Sequence, residues 1–525
     1  MNRGEMTSRI MDRTEPWDML VVGGGATGIG IAVDAASRGY DILLLEQSDF
    51  GKGTSSRSTK LIHGGVRYLQ QGNITLVMEA LKERGILREN APHLVHDLAF
   101  IVPNYDWWEA PFYGIGLKVY DLLAGRYGFG PSRILSADET VRRIPTLKTE
   151  GLRGGVIYYD GQFDDARLLI NLARTAAEQG ATLLNYVRVV AFTSDRAGYL
   201  NGAVFEDIET GKEHSVKARV VINATGPFAD HLRRMDDPAA SPLISPSQGI
   251  HLVFDKSFLP GKSAIMVPHT KDGRVMFAIP YLGATLVGTT DTPIADIPLE
   301  PQALPEEIDF ILETAGTYLQ KAPCRDDILS VFTGVRPLVG ASDDKNTASL
   351  SRDHTIVISN SGLLTVAGGK WTTYRQMAQD CVDHAATLAG LDARPCATKR
   401  LNIHGYHKRP QKFGALAIYG SDAPALQDLL RAEAFHQERI HPALSALCGE
   451  VVWAVRFEAA RTIDDFLARR TRSLFLNAKA ALQAAPKVAA LMAAELGYNK
   501  QWENEQVAVF GRIGEKFLPC RKESA

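Results

Sequence analysis

The chain has 525 residues, 45% hydrophobic and 22% charged, the balance of a soluble globular protein of several domains. Its 58 Lys and Arg face 60 Asp and Glu, so a net charge of −2 gives no bulk attraction to nucleic acid or to an anionic bilayer. Mean hydropathy is −0.09, and the greasiest late tract, Ala480 to Leu496, is broken by Pro486 and Lys487, which excludes a spanning helix of ~20 apolar residues. Five scattered cysteines, Cys324, Cys381, Cys396, Cys448 and Cys520, offer no disulfide framework, metal site or iron-sulfur pair and fit a reducing compartment.

Residues 1–17 are polar and charged, lack the apolar core of a secretion signal, and read as a short disordered leader. Asp18 to Val22 then reads as a strand, Gly23-Gly24-Gly25-Ala26-Thr27-Gly28 as a turn, Ile29 to Arg38 as a helix capped by Gly39, and Asp41 to Leu45 as a second strand ending in Glu46. Each part suits a dinucleotide. Gly23 permits the tight turn, Gly25 lets a pyrophosphate approach the backbone, and Gly28 lets helix and strand pack closely. The helix N-terminus offers unpaired N–H groups to phosphate, and Glu46, 18 positions after Gly28, can accept hydrogen bonds from ribose hydroxyls.

The hydroxyl- and glycine-rich run from Gly53 to Leu69 would follow a long anionic cofactor beyond its pyrophosphate, which favours FAD over NAD. This run resembles the signature of FAD-dependent glycerol-3-phosphate dehydrogenases, the quinone-linked enzymes. The resemblance extends in order through Phe163 to Leu168, Val221 to Pro227, Gly288 to Asp291, Thr333 to Leu338, Ser351 to Asp353, Gly368 to Tyr374 and Val455 to Arg472. It implies an α/β fold: an FAD-binding Rossmann-like domain with an interleaved β-sheet substrate cap, like glutathione reductase and amino-acid oxidases, plus a C-terminal all-helical domain. FAD-binding segments are expected at about 18–88, 160–243 and 323–398, cap segments at about 89–159 and 244–322, and the helical domain at 399–525.

The resemblance further implies oxidation of sn-glycerol 3-phosphate to dihydroxyacetone phosphate by hydride transfer to N5 of FAD, with electrons passed to membrane quinone. A glycerol-phosphate oxidase using O2, or a non-catalytic flavin redox sensor, are the alternatives. Arginine forks suit phosphate and alkoxide, so substrate contacts are expected at Arg67, Tyr68, Arg336, Arg352 and Lys370. His251, in an apolar strand of the cap, is the expected base, with Arg336 stabilising the alkoxide; His63 is its rival, read as a cofactor contact. Other FAD contacts are expected at Gly23, Gly25, Ala26, Thr27, Gly28, Glu46, Gln47, Thr54, Ser55, Lys60, Gly64, Val189, Ala224, Thr225, Gly226, Gly369, Lys370 and Thr372. No metal is implied, and Arg57 has no assigned role.

Tyr105 to Tyr120 packs seven residues of Trp, Tyr, Phe and Ile type into sixteen positions. Such aromatics line a core or rest at a membrane interface. The resemblance implies the second: peripheral attachment to the cytoplasmic face of the cell membrane, and a homodimer.

Overall fold

The computed structural model describes residues 1–65, 73–268, 270, 274–340 and 354–519. Met19–Val22 and Ile42–Glu46 are continuous apolar runs because helices or a second sheet cover both faces of the sheet they enter. That sheet has six strands in the order His354–Ile358, Leu364–Gly368, Val221–Asn223, Met19–Val22, Ile42–Glu46 and Thr182–Asn185, parallel except for the first. Helices Ala26–Ser37, Asp165–Glu178 and Tyr374–Leu388 bury their apolar stripes on one face. The three-stranded antiparallel sheet Val187–Ser194, Leu200–Asp207 and Lys212–Lys217 packs on the other.

The leader is not disordered. Arg3–Met11 is a helix whose Asn2 side chain accepts from the Gly4 N–H at 2.9 Å, and Met6 and Ile10, one turn apart, are buried against Leu20 and Leu43. Two apolar side chains in a polar segment make no amphipathic signal by themselves. They fold because the second face of the sheet needs covering.

The cap is a ten-stranded mixed sheet. Its longest pairing joins Ile244–Asp255 to Ile328–Val339, so the latter belongs to the cap rather than to the returning FAD-binding segment expected from residue 323. Gly154–Phe163 likewise carries the cap past residue 159 and pairs with Leu61–Ile62 from the flavin loop. Strands therefore cross the seam between the two layers.

Beyond residue 398 the chain is helical, with Cys448–Phe457, Ala478–Leu496 and Lys500–Glu515 as its longer late helices. It packs on both layers: Phe475 meets Phe332 of the cap with ring centroids 5.1 Å apart, and Arg167 pairs with Glu458 through bonds of 2.9 and 2.5 Å. Among the described residues no helix is long and apolar enough to cross a membrane.

Candidate active site

The turn after the first strand is built as dinucleotide binding requires. Gly23 has φ +114°, and a Cβ on Gly28 would stand 1.9 Å from the Gly23 carbonyl oxygen, so both positions exclude a side chain. The helix that follows begins at Gly25 with no side-chain cap, and its Ala26 N–H donates to Ser55 Oγ at 2.9 Å. The Glu46 carboxylate accepts the N–H of Gly24 at 2.6 Å and of Ser48 at 2.8 Å, one on each oxygen. Each oxygen keeps a lone pair for a ribose hydroxyl. Burial raises the Glu46 pKa, against the lowering effect of those two backbone donors.

A cavity of about 500 Å³ runs from this turn. It passes Gly23, Gly25, Ala26, Thr27, Glu46 and Gln47, continues along Thr54 and Ser55, and is closed by Val189, Ala224, Thr225, Gly226, Gly369 and Lys370. The hydroxyl loop is tied to both layers: Thr54 donates to the Val335 carbonyl at 2.6 Å, and Trp371 Nε1 donates to the Ser55 carbonyl at 2.8 Å. A positive helix terminus, two glycines that admit no Cβ and a backbone-held carboxylate fit the pyrophosphate and ribose of FAD.

A separate cavity of about 180 Å³ lies on the cap side, lined by Thr59, His63, Phe100, Asp160, Asp291 and Arg336 among others. Arg336 and Pro337, consecutive on one strand, line the cap cavity and the cofactor cleft respectively. The Arg336 guanidinium donates to Asp291 Oδ1 at 3.1 Å, to Thr289 Oγ1 at 3.0 Å and to the Thr290 carbonyl at 2.8 Å, which fixes its plane. His251 stands behind this wall, stacked on Phe332 with centroids 4.8 Å apart, its Nε2 at 3.0 Å from Thr59 Oγ1.

The family model described as FAD dependent oxidoreductase matches residues 18–375, and that of the C-terminal domain of alpha-glycerophosphate oxidase matches residues 333–503. The mitochondrial glycerol-3-phosphate dehydrogenase of Arabidopsis thaliana is 42% identical over 97% of this chain and 87% of its own length; that of Homo sapiens is 40% identical over 95% and 73%. The glycerol-3-phosphate dehydrogenase from Bacillus halodurans complexed with FAD superposes with a TM-score of 0.80 at 30% identity, covering 99% of this chain and 98% of that one. The chain belongs to the FAD-dependent glycerol-3-phosphate dehydrogenases. FAD is its cofactor and oxidoreduction its chemistry.

Within this dehydrogenase the expected site residues separate into groups. Those of the turn, the hydroxyl loop and the second glycine turn share the cofactor cleft, with Gly28 directly behind Gly23 and Thr372 buried beside the loop, accepting the His63 N–H at 3.4 Å. His63 itself lines the cap cavity, and Gly64 donates its N–H to Tyr120 at 2.7 Å. Lys60 departs from expectation. Its ammonium is buried in an ion pair with Asp165 at 2.7 Å rather than facing the cofactor, and burial lowers its pKa despite that partner. Arg67, Tyr68 and Arg352 lie outside the described residues.

Arg57 has a structural position: its guanidinium donates to Glu300 at 2.5 Å and to the Thr333 carbonyl at 3.1 Å, joining flavin loop to cap. Sequence reasoning missed Thr59 and Asp291. Both sit inside motifs already noted, but their roles come from strand register, which sets His251 opposite Gly288 and Ser247 opposite Arg336. Burial, reinforced by the charges of Lys60 and Arg336, holds the His251 imidazole well below its ordinary pKa. The ring is therefore neutral near neutrality, and its Nδ1 has no hydrogen-bond partner among the described residues.

Proposed function

We propose that this chain oxidises sn-glycerol 3-phosphate to dihydroxyacetone phosphate and passes the electrons to a membrane quinone. The observation that carries the reading is the seam where Arg336 and Pro337 face two cavities, one shaped for FAD and one small, in which Arg274 and Arg336 stand with Asp160 and Asp291 among apolar side chains. When bound, FAD supplies the hydride acceptor for the secondary alcohol. Arg336, held by Asp291 and Thr289, supports the anionic oxygens of substrate and developing alkoxide. The hydroxyl proton leaves through Thr59 Oγ1 to His251, whose neutral ring is within hydrogen-bond reach of Thr59. His251 acts through Thr59 because it does not itself line the cavity. Arg67, Tyr68, Arg352 and Lys370 remain proposed substrate contacts on the ground of the family resemblance.

Attachment to the membrane is proposed through the helix Glu109–Ala124. It buries Tyr113, Leu117, Tyr120 and Ala124 and exposes Phe112, Ile115, Val119 and Leu122, with Trp107 and Trp108 at its start; Ile115 is 69% and Leu122 80% exposed. A continuous apolar face of this kind on an otherwise near-neutral protein suits a helix lying in the interface plane. The deciding experiment for the activity is an anaerobic titration: sn-glycerol 3-phosphate should bleach the bound flavin stoichiometrically, and a flavin that stays oxidised would refute the proposal.

A further inference from the structure

The strand Gly154–Phe163 is paired along one edge with Val95–Asn104 over its full length. Its other edge is interrupted: Arg133–Ser136 covers Gly154 to Ile157, Leu61–Ile62 covers Gly161 and Gln162, and residues 158–160 have no strand partner there among the described residues. An outer cavity of about 290 Å³ lies beside this gap, lined by Arg84, Tyr120, Ala124, Gly128, Phe129 and Tyr159.

One layer of side chains separates it from the cap cavity. Asp160 lines the cap cavity, and its carboxylate accepts from Arg84 Nη1 at 2.5 Å and from the Tyr120 hydroxyl at 2.7 Å, both residues lining the outer one. Tyr120 also accepts the Gly64 N–H, so the same hydroxyl touches the loop that carries His63. The chemistry of the lining is specific. The Arg84 guanidinium stacks over Phe129 at 4.1 Å, its side chain is 1% exposed, and its Nε has no hydrogen-bond partner among the described residues. A buried charged donor left unmade is unfavourable, so a ligand oxygen accepting from it would be stabilised. The outer cavity adjoins the C-terminal end of the helix Glu109–Ala124, whose other face is the exposed apolar one.

Aromatic walls, a buried cationic donor, access beside an apolar surface and a single side-chain layer to the cap cavity are what a planar, carbonyl-bearing, lipid-soluble oxidant would use. We infer that the outer cavity seats the ring of the quinone acceptor, with Arg84 donating to a ring carbonyl. The inference rests on the reading that electrons leave to a quinone. The step balances: the quinone gains two electrons and two protons and departs as the quinol; the flavin, when bound, would supply both electrons and the one proton carried with the hydride, and the proton passed from the substrate hydroxyl to His251, released to solvent, accounts for the second.

Two measurements on the holoenzyme test it. Oxidised enzyme illuminated with an azido-benzoquinone should carry label on Arg84, on residues 120–121 or 124–131, or on Tyr159, and label confined elsewhere, the exposed face of Glu109–Ala124 included, would overturn the assignment. Gly128, at φ −64° and ψ 143°, has an ordinary backbone, and a Cβ there meets nothing closer than 3.3 Å, so Gly128→Trp can fill the cavity. That variant, and Arg84→Lys, which keeps a cation for Asp160 but lacks Nε, should each lose about tenfold in labelling and in anaerobic flavin reoxidation by ubiquinone-1. In Gly128→Trp, bleaching by sn-glycerol 3-phosphate and reoxidation by ferricyanide should persist. Unchanged labelling and unchanged quinone reoxidation in both variants would sink the assignment. Failure of wild-type bleaching would instead refute the proposed activity, and labelling would still decide the cavity.

Discussion

Asp49, on the loop that follows Glu46, is held by Arg470 of the helical domain through bonds of 2.7 and 3.0 Å. Arg469 donates to the same carboxylate at 2.5 Å, Lys52 bonds Asp464 at 2.6 Å, and Tyr186 bonds Asp465 at 2.6 Å. The π-helical turn Asp465–Arg470 thus braces the wall of the cofactor cleft from behind. All these groups except the half-buried Tyr186 are buried, and removing one partner of such an ion pair leaves an uncompensated charge worth ~3–5 kcal/mol. Asp49→Ala is expected to lower the thermal midpoint and to release FAD, read as a rise in free flavin fluorescence on dilution. A variant that retains FAD with wild-type affinity would show that the brace does not reach the cleft.

The cofactor turn was legible in the sequence because its constraints are local: three glycines and one acid within a single strand-turn-helix-strand unit. Lys60 sits in an equally suggestive run, but its partner Asp165 lies 105 positions away and no local pattern announces it. The leader helix, Thr59 and Asp291 were opaque for a related reason. Each acquires its role only when a distant surface or strand register is present.

Gly28→Ala tests the turn directly. Its Cβ would meet the Gly23 carbonyl at 1.9 Å, both atoms being backbone-fixed, so the helix must move away from the strand. The expected product is a colourless or insoluble protein, read by flavin absorbance per chain. A yellow, soluble Gly28→Ala enzyme with full occupancy would contradict this account.

Arg336→Lys keeps the charge but loses the fork that meets Asp291 and Thr289 together. kcat/KM for sn-glycerol 3-phosphate should fall by roughly 10²-fold or more, with the flavin spectrum retained because Arg336 lines the cap cavity. Thr59→Val should slow flavin bleaching and shift its pH profile, since it breaks the link to His251. A Thr59→Val enzyme with wild-type bleaching at every pH would remove His251 from the proton path.

Stability should depend on pH through His404, which joins the helix Asp165–Glu178 to the helical domain. Burial acts to lower its pKa, but hydrogen bonds to Asp422 at 2.8 Å and Glu178 at 2.6 Å outweigh burial and the opposing charge of Arg174, and the pKa is raised above 6.5. The folded state therefore holds its proton more tightly than the unfolded chain. This contribution is complete below the unfolded pKa of about 6.5 and is lost as pH rises through the higher folded value. Thermal midpoints across that window should decline in the wild type and less steeply in His404→Gln. Parallel declines in the two proteins would assign the slope to other groups.

The apolar face of Glu109–Ala124 carries the last prediction. With a net charge of −2 and an attachment surface of Phe112, Ile115, Val119 and Leu122, binding should arise from apolar burial at ~25 cal/mol per Å² rather than from counter-ions. Co-flotation with neutral phosphatidylcholine vesicles should then occur and persist at high salt. The double variant Ile115→Glu with Leu122→Glu places charges where two largely exposed side chains stood, so it should lose flotation more than tenfold while keeping its thermal midpoint and its bleaching by substrate. Binding that needs anionic lipid, disappears with salt or survives the double variant would move the attachment surface elsewhere on the molecule.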